Sequence, residues 1–566
     1  MDVAVTKPTE APAGGVDRTR LMAHIAEFAK RIKLSGTPEE LESFRYLEAT
    51  MRGYGYRTQL LQHDAYISLP GSSRLVVDGV EIASITHSMS VPTGPAGIRA
   101  PLVYVGEGEQ ADFDKADVAG KIVLVEGVAV EDVADRASKA GALAEIHISP
   151  TEHLHEMCIS TVWGSPSQLT LGLLPTVAAA TVSRHDGAKL RARCLAGEGL
   201  TAALTTEVET GWRQTPLLVC DLDAPEGVEA TPFILFSGHH DSWHYGVMDN
   251  GSANATMLEA ARVLAENRSS WRRGLRVCFW SGHSHGRYSG SAWYADEHFA
   301  ELDWRCAAHV NVDSTGGIGA DVLGNNSTVD ELQGLAARAI AAETGQLHAG
   351  HRHGRVADQS FWGIGVPSMY GSLSHQPKRP GEAHMALGWW WHTPHDLADK
   401  IDPDGLVRDT RIVLRTLWHL LTDATLPFDY AAYAENLLAE LGTIETALAG
   451  RFDIASLKQA TAALKAAAAL PAGEGEAQAR RIDEALIAAS RLLVPINYTS
   501  GDRFRPDPAR TLPSWPALQC LRELADAEEA DKNFYVVEAR RARNRVLHAL
   551  QGAADCLNQT KKDRGL

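Results

Sequence analysis

Residues 233–259 read FILFSGHHDSWHYGVMDNGSANATMLE, and the predicted architecture depends on them more than on any other stretch. The apolar run 233–236 is typical of a buried strand. Two polar segments follow it, at 238–241 and 249–251, and helical spacing begins at Ser252. In open α/β sheets, ligands bind where strands end in loops of this kind. Because His and carboxylate side chains suit Zn²⁺ or a similar ion, this strand end is a candidate metal site, the alternative being an ordinary polar loop.

Strands and crossover helices alternate outward from this stretch, from residue 231 to about residue 425. The apolar segments 275–280 and 309–312 are further predicted strands, and 366–369 is a weaker fourth. The segments between them are long enough for the helical crossovers that parallel strands require. The predicted fold class is therefore α/β, with a mostly parallel sheet.

The remaining regions differ from this sheet region in residue composition and in predicted secondary structure. Residues 1–16 are rich in Pro, Ala and Gly and are predicted to be disordered. Residues 17–95 and 212–428 form one predicted α/β domain, which the family resemblance given below implies is the catalytic one. The stretch 96–211 has short strands and frequent glycines, which predicts an inserted β-rich module. Residues 429–566 are rich in Ala, Leu, Glu and Arg on apolar stripes, which predicts packed helices.

The composition limits the classes of function. A chain of 566 residues is expected to hold two to four domains, and 45% apolar with 22% charged residues is typical of a folded soluble protein. A net charge of −17 argues against nucleic acid or an anionic membrane as partner. The N-terminus lacks the apolar segment of a signal peptide, and the seven cysteines form no CxxC pair. A cytoplasmic protein without a membrane or nucleic-acid partner is expected.

More His and Asp residues follow the other predicted strands. His283 and His285 come after the second strand, Asp313 after the third, and His392 after a tryptophan run. Because the carboxyl ends of parallel strands meet at one edge of a sheet, these side chains are expected to lie near His239. Four separate strand or loop ends that each carry His or Asp favour a functional site over the alternative of ordinary polar loops.

Several motifs resemble one known family. The segments GHHDSW at 238–243, NVDS at 311–314 and WHTPHDLADKID at 391–402 together resemble the metal-ligand segments of the M28 metallopeptidases. The resemblance is strongest to the glutamate carboxypeptidase II/transferrin receptor branch and covers nearly the whole chain. GKIVLV at 120–125 is similar to a core strand of that branch's protease-associated (PA) domain. The resemblance implies a zinc-peptidase-like catalytic domain with an inserted PA domain and a C-terminal helical domain that forms a homodimer.

The resemblance also implies a ligand set. His239 and Asp313 are expected to bind one divalent metal, Zn²⁺ foremost, with Asp249 bridging to a second ion that His392 binds. One ion or two are therefore expected. Asp241 is predicted to orient His239.

One segment departs from the family pattern. Family peptidases have adjacent glutamates after this strand, the first a general base and the second a metal ligand, whereas this chain has His-Ser-His at 283–285. Counting forward from Trp280 places His283 at the general-base position and Ser284 at the ligand position. Counting back from Gly290 places Ser284 at the general-base position and His285 at the ligand position. The register stays open. Since imidazole binds Zn²⁺ better than a hydroxyl, His285 is the preferred further ligand, and both histidines are candidate acid/base groups.

The predicted function is metal-dependent hydrolysis of an amide or peptide-like bond in a small molecule or short peptide-like substrate. A bound ion would polarise the carbonyl and lower the pKa of a water toward ~7, with His283 or His285 moving the proton. Glu382 is an alternative base. Because the glutamate pair is missing, a metal-dependent lyase and a non-catalytic, transferrin receptor-like binding protein remain alternatives. The residues predicted to line the substrate pocket are His240, Trp243, His244, Tyr245 and Trp391.

Overall fold

The computed structural model of the chain describes residues 10–225, 231–324, 326–348, 354–381, 383–470 and 475–562. The strands within these ranges are β1 (Arg57–Val77), β2 (Val80–Ile82), β3 (Ser84–Thr86), β4 (Ile98–Tyr104), β5 (Ile122–Glu126), β6 (Ala144–Ile148), β7 (Ala178–Val182), β8 (Thr201–Leu222), β9 (Phe233–His239), β10 (Gly274–Trp280), β11 (Cys306–Asp313) and β12 (Ser368–Ser372). The α-helices within them are α1 (Arg18–Phe28), α2 (Pro38–Gly53), α3 (Gln110–Lys115), α4 (Glu131–Lys139), α5 (Arg184–Leu195), α6 (Ala253–Glu266), α7 (Ser289–Glu297), α8 (Phe299–Arg305), α9 (Gln333–Thr344), α10 (Pro403–Thr422), α11 (Tyr430–Leu448), α12 (Ala455–Ala467), α13 (Glu476–Tyr498), α14 (Gln519–Asp526) and α15 (Lys532–Lys562).

The strands form one sheet, in the order β12-β11-β9-β10-β8-β4-β5-β6-β7-β3, with β1 paired to β8 and β2 to β1. In the half of the sheet that holds β9 to β12, β9 runs parallel to β10 and β11, and β11 runs parallel to β12. Every residue of β9, β10 and β11 is buried, as expected for parallel strands covered by helices on both faces. The predicted α/β class with a mostly parallel sheet is confirmed, and the weak fourth strand is β12.

A long antiparallel ribbon links the two halves of the sheet. β1 pairs with β8 from Arg57 opposite Asp221 to Val77 opposite Ala202, with an irregularity between Pro70 and Ser73. One end of β8 pairs with β10 and the other with β4. The inserted half then continues through β4–β7 in parallel, with α4 and α5 packed on it. The ribbon thus crosses the predicted boundary at residue 211 unbroken, and the PA-domain assignment stays a prediction.

The C-terminal helices share a core with the sheet. Leu493 and Val494 of α13 belong to the same apolar cluster as Phe236 of β9. Arg491 of α13 donates to the main-chain oxygens of Cys306 at 2.6 Å and Gly365 at 2.8 Å. The homodimer through residues 429–566 stays a prediction, which light scattering of the full chain at micromolar concentration would check.

The N-terminal segment departs in part from its prediction. Of residues 1–16, residues 1–9 lie outside the described ranges. Ala13–Gly15 form a 3-10 helix, and Ala13 and Val16 are buried in the main core. These apolar side chains order the segment by packing, which composition alone did not reveal. No helix within the described ranges is long and apolar enough to cross a bilayer.

Candidate metal centre

Four His and Asp side chains of the predicted ligand set meet at the carboxyl edge of the parallel strands. His239 ends β9 and Asp313 ends β11, so the parallel register brings both to the same edge. Nε2 of His239 lies 3.1 Å from Oδ1 of Asp249 and 3.8 Å from Oδ2 of Asp313. Oδ2 of Asp249 lies 3.0 Å from Nε2 of His392. Asp249 therefore lies between two histidines, each facing a different carboxylate oxygen.

The chemistry of these atoms fits a divalent metal. Nδ1 of His239 donates to the main-chain oxygen of Asp241 at 2.9 Å, which leaves Nε2 with its lone pair free. Nε2 of His239 and Oδ1 of Asp249 are buried, and neither has a hydrogen-bond partner among the described residues. Because buried polar atoms without partners cost free energy, this arrangement is unfavourable for the protein alone. Imidazole nitrogen and carboxylate oxygen are the ligands that Zn²⁺ takes in proteins.

Charge supports the same conclusion. Burial lowers the pKa of His239, but the neighbouring carboxylates of Asp241, Asp249 and Asp313 outweigh that effect, so the net shift is well upward, as expected beside clustered negative charge. Burial raises the pKa of Asp249, yet His239 and His392 bring it well below the usual value. Carboxylates that stay ionised at a buried site favour binding of a cation.

His283 belongs to this cluster. Its ring stacks on that of His239 with centroids 3.7 Å apart. Potential ligand atoms of His239, His283 and Asp313 all lie within 4.8 Å of one another. Nδ1 of His283 donates to Oδ2 of Asp358 at 2.8 Å, which leaves Nε2 as the nitrogen that can accept a proton or a metal.

His285 lies apart from the cluster. It is fully buried, and its Nδ1 lies 2.9 Å from Oγ of Ser35, which donates to Asp241 at 2.7 Å. The ring of Trp243 packs against it, with centroids 4.4 Å apart. Burial lowers the pKa of His285 to about 4. Within the described ranges, His285 joins no group of three converging ligand atoms, although its Nε2 is buried without a hydrogen-bond partner, and its part in binding metal stays a prediction.

Comparison with known proteins bears on this site. Residues 223–417, which hold the whole cluster, match the family model described as Peptidase family M28. The chain contains a peptidase M28 domain. It is 24% identical over 497 residues to probable glutamate carboxypeptidase VP8 of Zea mays, covering 73% of this chain and 68% of that protein. It is 26% identical over 390 residues to aminopeptidase YwaD of Bacillus subtilis strain 168, covering 66% and 78%.

Solved structures support the fold. The zinc aminopeptidase BSAP from Bacillus subtilis matches with a TM-score of 0.55 at 22% identity, covering 72% of this chain and 96% of that chain. At this level of identity, the likeness establishes a shared fold for the M28 domain.

One predicted substrate residue of the M28 domain faces the core instead. Nε2 of His240 lies 2.7 Å from Oγ of Ser43, and its ring packs edge-on against Phe28 and Phe44. His240 is fully buried, and adjacent residues at a strand end point to opposite sides of the sheet. Since His239 points to the cluster, His240 points away from it, and this placement does not favour its predicted role in substrate binding.

Two of the other predicted pocket residues pack against the cluster. Trp243 is buried against His392, with ring centroids 5.3 Å apart, and Trp391 stacks on His392 at 3.6 Å. Tyr245 is 37% exposed, whereas His244 is partly buried. Trp243 and Trp391 thus line the site beside His392, and the substrate-binding roles of His244 and Tyr245 stay predictions. Glu382, the alternative base, lies outside the described residues.

Sequence reasoning missed two residues that position the cluster. Asp358 accepts hydrogen bonds from His283 and, at 2.7 Å, from Oγ of Ser291. Glu156 of the inserted half accepts at its main-chain oxygen from Nδ1 of His392 at 2.7 Å. His392 has a φ of 59°, which is unusual for a non-glycine residue and persists because surrounding contacts hold it. No local motif marks Asp358 or Glu156, so the sequence alone offered no signal for either.

A further carboxylate holds the loop that carries Asp249. Asp396 accepts from the main-chain N–H groups of Met248 at 2.8 Å and Asp249 at 3.0 Å. Burial raises the pKa of Asp396 to about 7. Burial also raises the pKa of Glu156 to about 7, and an opposite charge beside that carboxylate would lower it again.

Proposed function

We propose that this chain is a metal-dependent hydrolase that cleaves an amide or peptide-like bond in a small substrate. The observation that carries the proposal is the buried cluster of His239, Asp249 and Asp313 at the strand edge of the M28 domain. The two curated relatives are named a carboxypeptidase and an aminopeptidase, which supports a peptide-like substrate. A non-catalytic binding protein would have no need of buried, unpartnered ligand atoms.

We assign one metal ion, Zn²⁺ foremost, to His239, Asp249 and Asp313. Three protein ligands with an open position are typical of catalytic zinc. When bound, such an ion polarises a carbonyl group and lowers the pKa of a bound water toward ~7. A second ion would have Asp249 and His392, but His285 does not converge on that pair, so one ion is the better supported count.

His283 is the proposed proton-transfer group, in the place of the family glutamate. Asp358 holds its Nδ1–H, which fixes the tautomer whose Nε2 lone pair can take a proton. The carboxylate also stabilises the positive charge that the ring would gain. Because imidazole is neutral before it acts whereas a glutamate base is charged, the reaction is proposed to have diverged from that of the family peptidases.

Replacing His283 with alanine tests this role. Loss of an acid/base group is expected to lower turnover by ~10²–10⁴ while metal content stays at wild-type level. Asp358→Asn should lower turnover by roughly 10–100-fold, because it removes the group that orients the imidazole. Turnover of a panel of dipeptides and aminoacyl anilides, together with elemental analysis, provides the measurement.

The matched control is His384→Ala, because His384 is an exposed histidine that bonds only to the main-chain oxygen of Gln376 among the described residues. It should change neither turnover nor metal. Metal lost from His283→Ala would make His283 a ligand, and unchanged turnover would contradict the proposed mechanism.

A further inference from the structure

A loop of the inserted half lies against His392 at the candidate metal centre. The N–H of Glu156 donates to the main-chain oxygen of His392 at 3.0 Å, and Nδ1 of His392 donates to the main-chain oxygen of Glu156 at 2.7 Å. Nε2 of the same ring lies 3.0 Å from Oδ2 of Asp249. The position of the loop therefore fixes the orientation of a ring that faces a proposed metal ligand.

The segment that follows β3 holds this loop in place. The N–H of Ser88 donates to the main-chain oxygen of Met157 at 3.0 Å, and the N–H of Ile159 donates to the main-chain oxygen of Ser88 at 3.1 Å. The N–H of Met157, which follows Glu156, donates at 3.3 Å to a side-chain atom, Nδ1 of His87. Two main-chain hydrogen bonds and one imidazole therefore attach the loop to this segment.

The hydrogen bonds of His87 fix its protonation state. Nδ1 accepts from a main-chain N–H, which can only donate, so this nitrogen must carry a lone pair. The proton of the neutral ring is then on Nε2, which donates to Oγ1 of Thr181 at 2.8 Å. His87 is fully buried. A second proton, on Nδ1, would face the N–H of Met157 and would break that hydrogen bond.

The surroundings of His87 disfavour a positive charge on its ring. The ring of His147 in β6 lies edge-on to it, with centroids 6.5 Å apart. The carboxylate of Glu145 lies 3.3 Å from Nε2 of His147, and both residues are fully buried. Cys158 of the loop is a buried thiol whose pKa burial raises, so it adds no charge. Burial, together with His147, lowers the pKa of His87 to about 3, so the ring is neutral near pH 7.

We propose that His87 is a positioning residue whose neutral imidazole holds the loop 155–159 against His392, so that acid loosens the loop. When the loop opens, Nδ1 loses its partner, and the pKa of the ring returns toward the ordinary value of 6.5. Because the pKa is lower in the closed state, the stabilisation of that state is complete above pH 6.5 and declines as the pH falls toward about 3. Each pH unit in this window should favour opening by up to about tenfold. The inference concerns the loop itself and does not require that the chain hydrolyse amides.

Hydrogen–deuterium exchange of the full chain tests the role of His87. Peptides that contain residues 155–159 are followed at about pH 7.5 and about pH 5.5, with exchange corrected for the intrinsic rate, and the wild-type loop should exchange roughly tenfold faster in acid. His87→Asn offers an amide oxygen as acceptor in place of Nδ1 and takes up no proton, so its loop should stay protected at both pH values. His87→Leu removes the acceptor and should raise exchange roughly tenfold even near neutral pH.

Two controls make the result specific to this ring. His185→Asn changes an exposed histidine of α5 in the same half, and its loop should respond to acid as the wild type does. Metal lost in acid would affect wild type and His87→Asn alike, so the difference between these two chains isolates the imidazole. An acid response that persists in His87→Asn would trace it to another group, such as His155, and would overturn the proposal. A His87→Leu loop that is as well protected as the wild-type loop near neutral pH would overturn it as well.

Discussion

Replacing Asp249 with alanine is expected to remove the bound metal and to reduce turnover to background, a larger loss than any other single change at the site. Its two oxygens face Nε2 of His239 at 3.1 Å and Nε2 of His392 at 3.0 Å. Without this carboxylate, the two rings lose their shared partner and the proposed ion loses one of three ligands. Elemental analysis and turnover, measured on one preparation, give the result.

Two controls separate metal loss from misfolding. Asp404→Ala removes an exposed carboxylate that pairs with Arg18, and it should keep both metal and turnover. Wild type stripped with a chelator should regain turnover when Zn²⁺ is returned, whereas Asp249→Ala should not. A variant that retains one metal per chain would mean that Asp249 is not a ligand.

The largest expected effect on stability lies away from the site, at the buried ion pair between Arg273 and Asp483. Arg273 is 2% exposed, and its Nε donates to Oδ2 of Asp483 at 2.9 Å. Its Nη1 donates to the main-chain oxygens of Leu420 and Asp423. Asp483→Leu would leave a buried, uncompensated cation, and should lower the free energy of unfolding by about 3–5 kcal/mol. Urea denaturation of the full chain measures this.

A double variant distinguishes the charge from the loss of packing. Arg273→Met combined with Asp483→Leu removes both charges, so it should recover more than half of the lost stability. Glu81→Leu breaks the exposed pair with Arg74 and should cost little. If the double variant is no more stable than Asp483→Leu, the buried charge is not the cause.

The parts of the fold that follow from periodicity were predictable. Continuous apolar runs marked β9 and β10, because strands buried on both faces have no polar alternation. The parallel arrangement then placed His239 beside Asp313, since both end neighbouring strands. This part of the ligand set needed only local patterns and one topological rule.

The altered segment could not be placed from sequence. Its turn ends in two consecutive non-glycine residues with positive φ, Arg287 at 47° and Tyr288 at 68°. Arg and Tyr residues seldom adopt positive φ, so these residue types do not predict a turn with this backbone conformation. Counts from the two flanking landmarks therefore disagreed by one residue. The structure places His283 among the converging ligand atoms with His239 and Asp313, and His285 is not in that group.

Contacts across long stretches of chain were equally hidden. The hydrogen bond from His392 to Glu156 joins residues 236 positions apart, and that from His283 to Asp358 joins residues 75 apart. Each depends on how whole segments pack, which local propensity does not encode.

Synthesis of this chain on the ribosome imposes an order on its assembly. β1 cannot form its long ladder with β8 until β8 has emerged, and at ~5–20 residues per second that wait lasts roughly 8–30 s. Strands β4–β7 all lie between those two, so their parallel core can form during the wait. Once β8 emerges, one of its ends can pair with β4. In that position β8 can pair with β1 along its length, and β10 can pair later with the other end of β8. The inserted half can therefore be in place before the domain that holds the proposed metal site is complete.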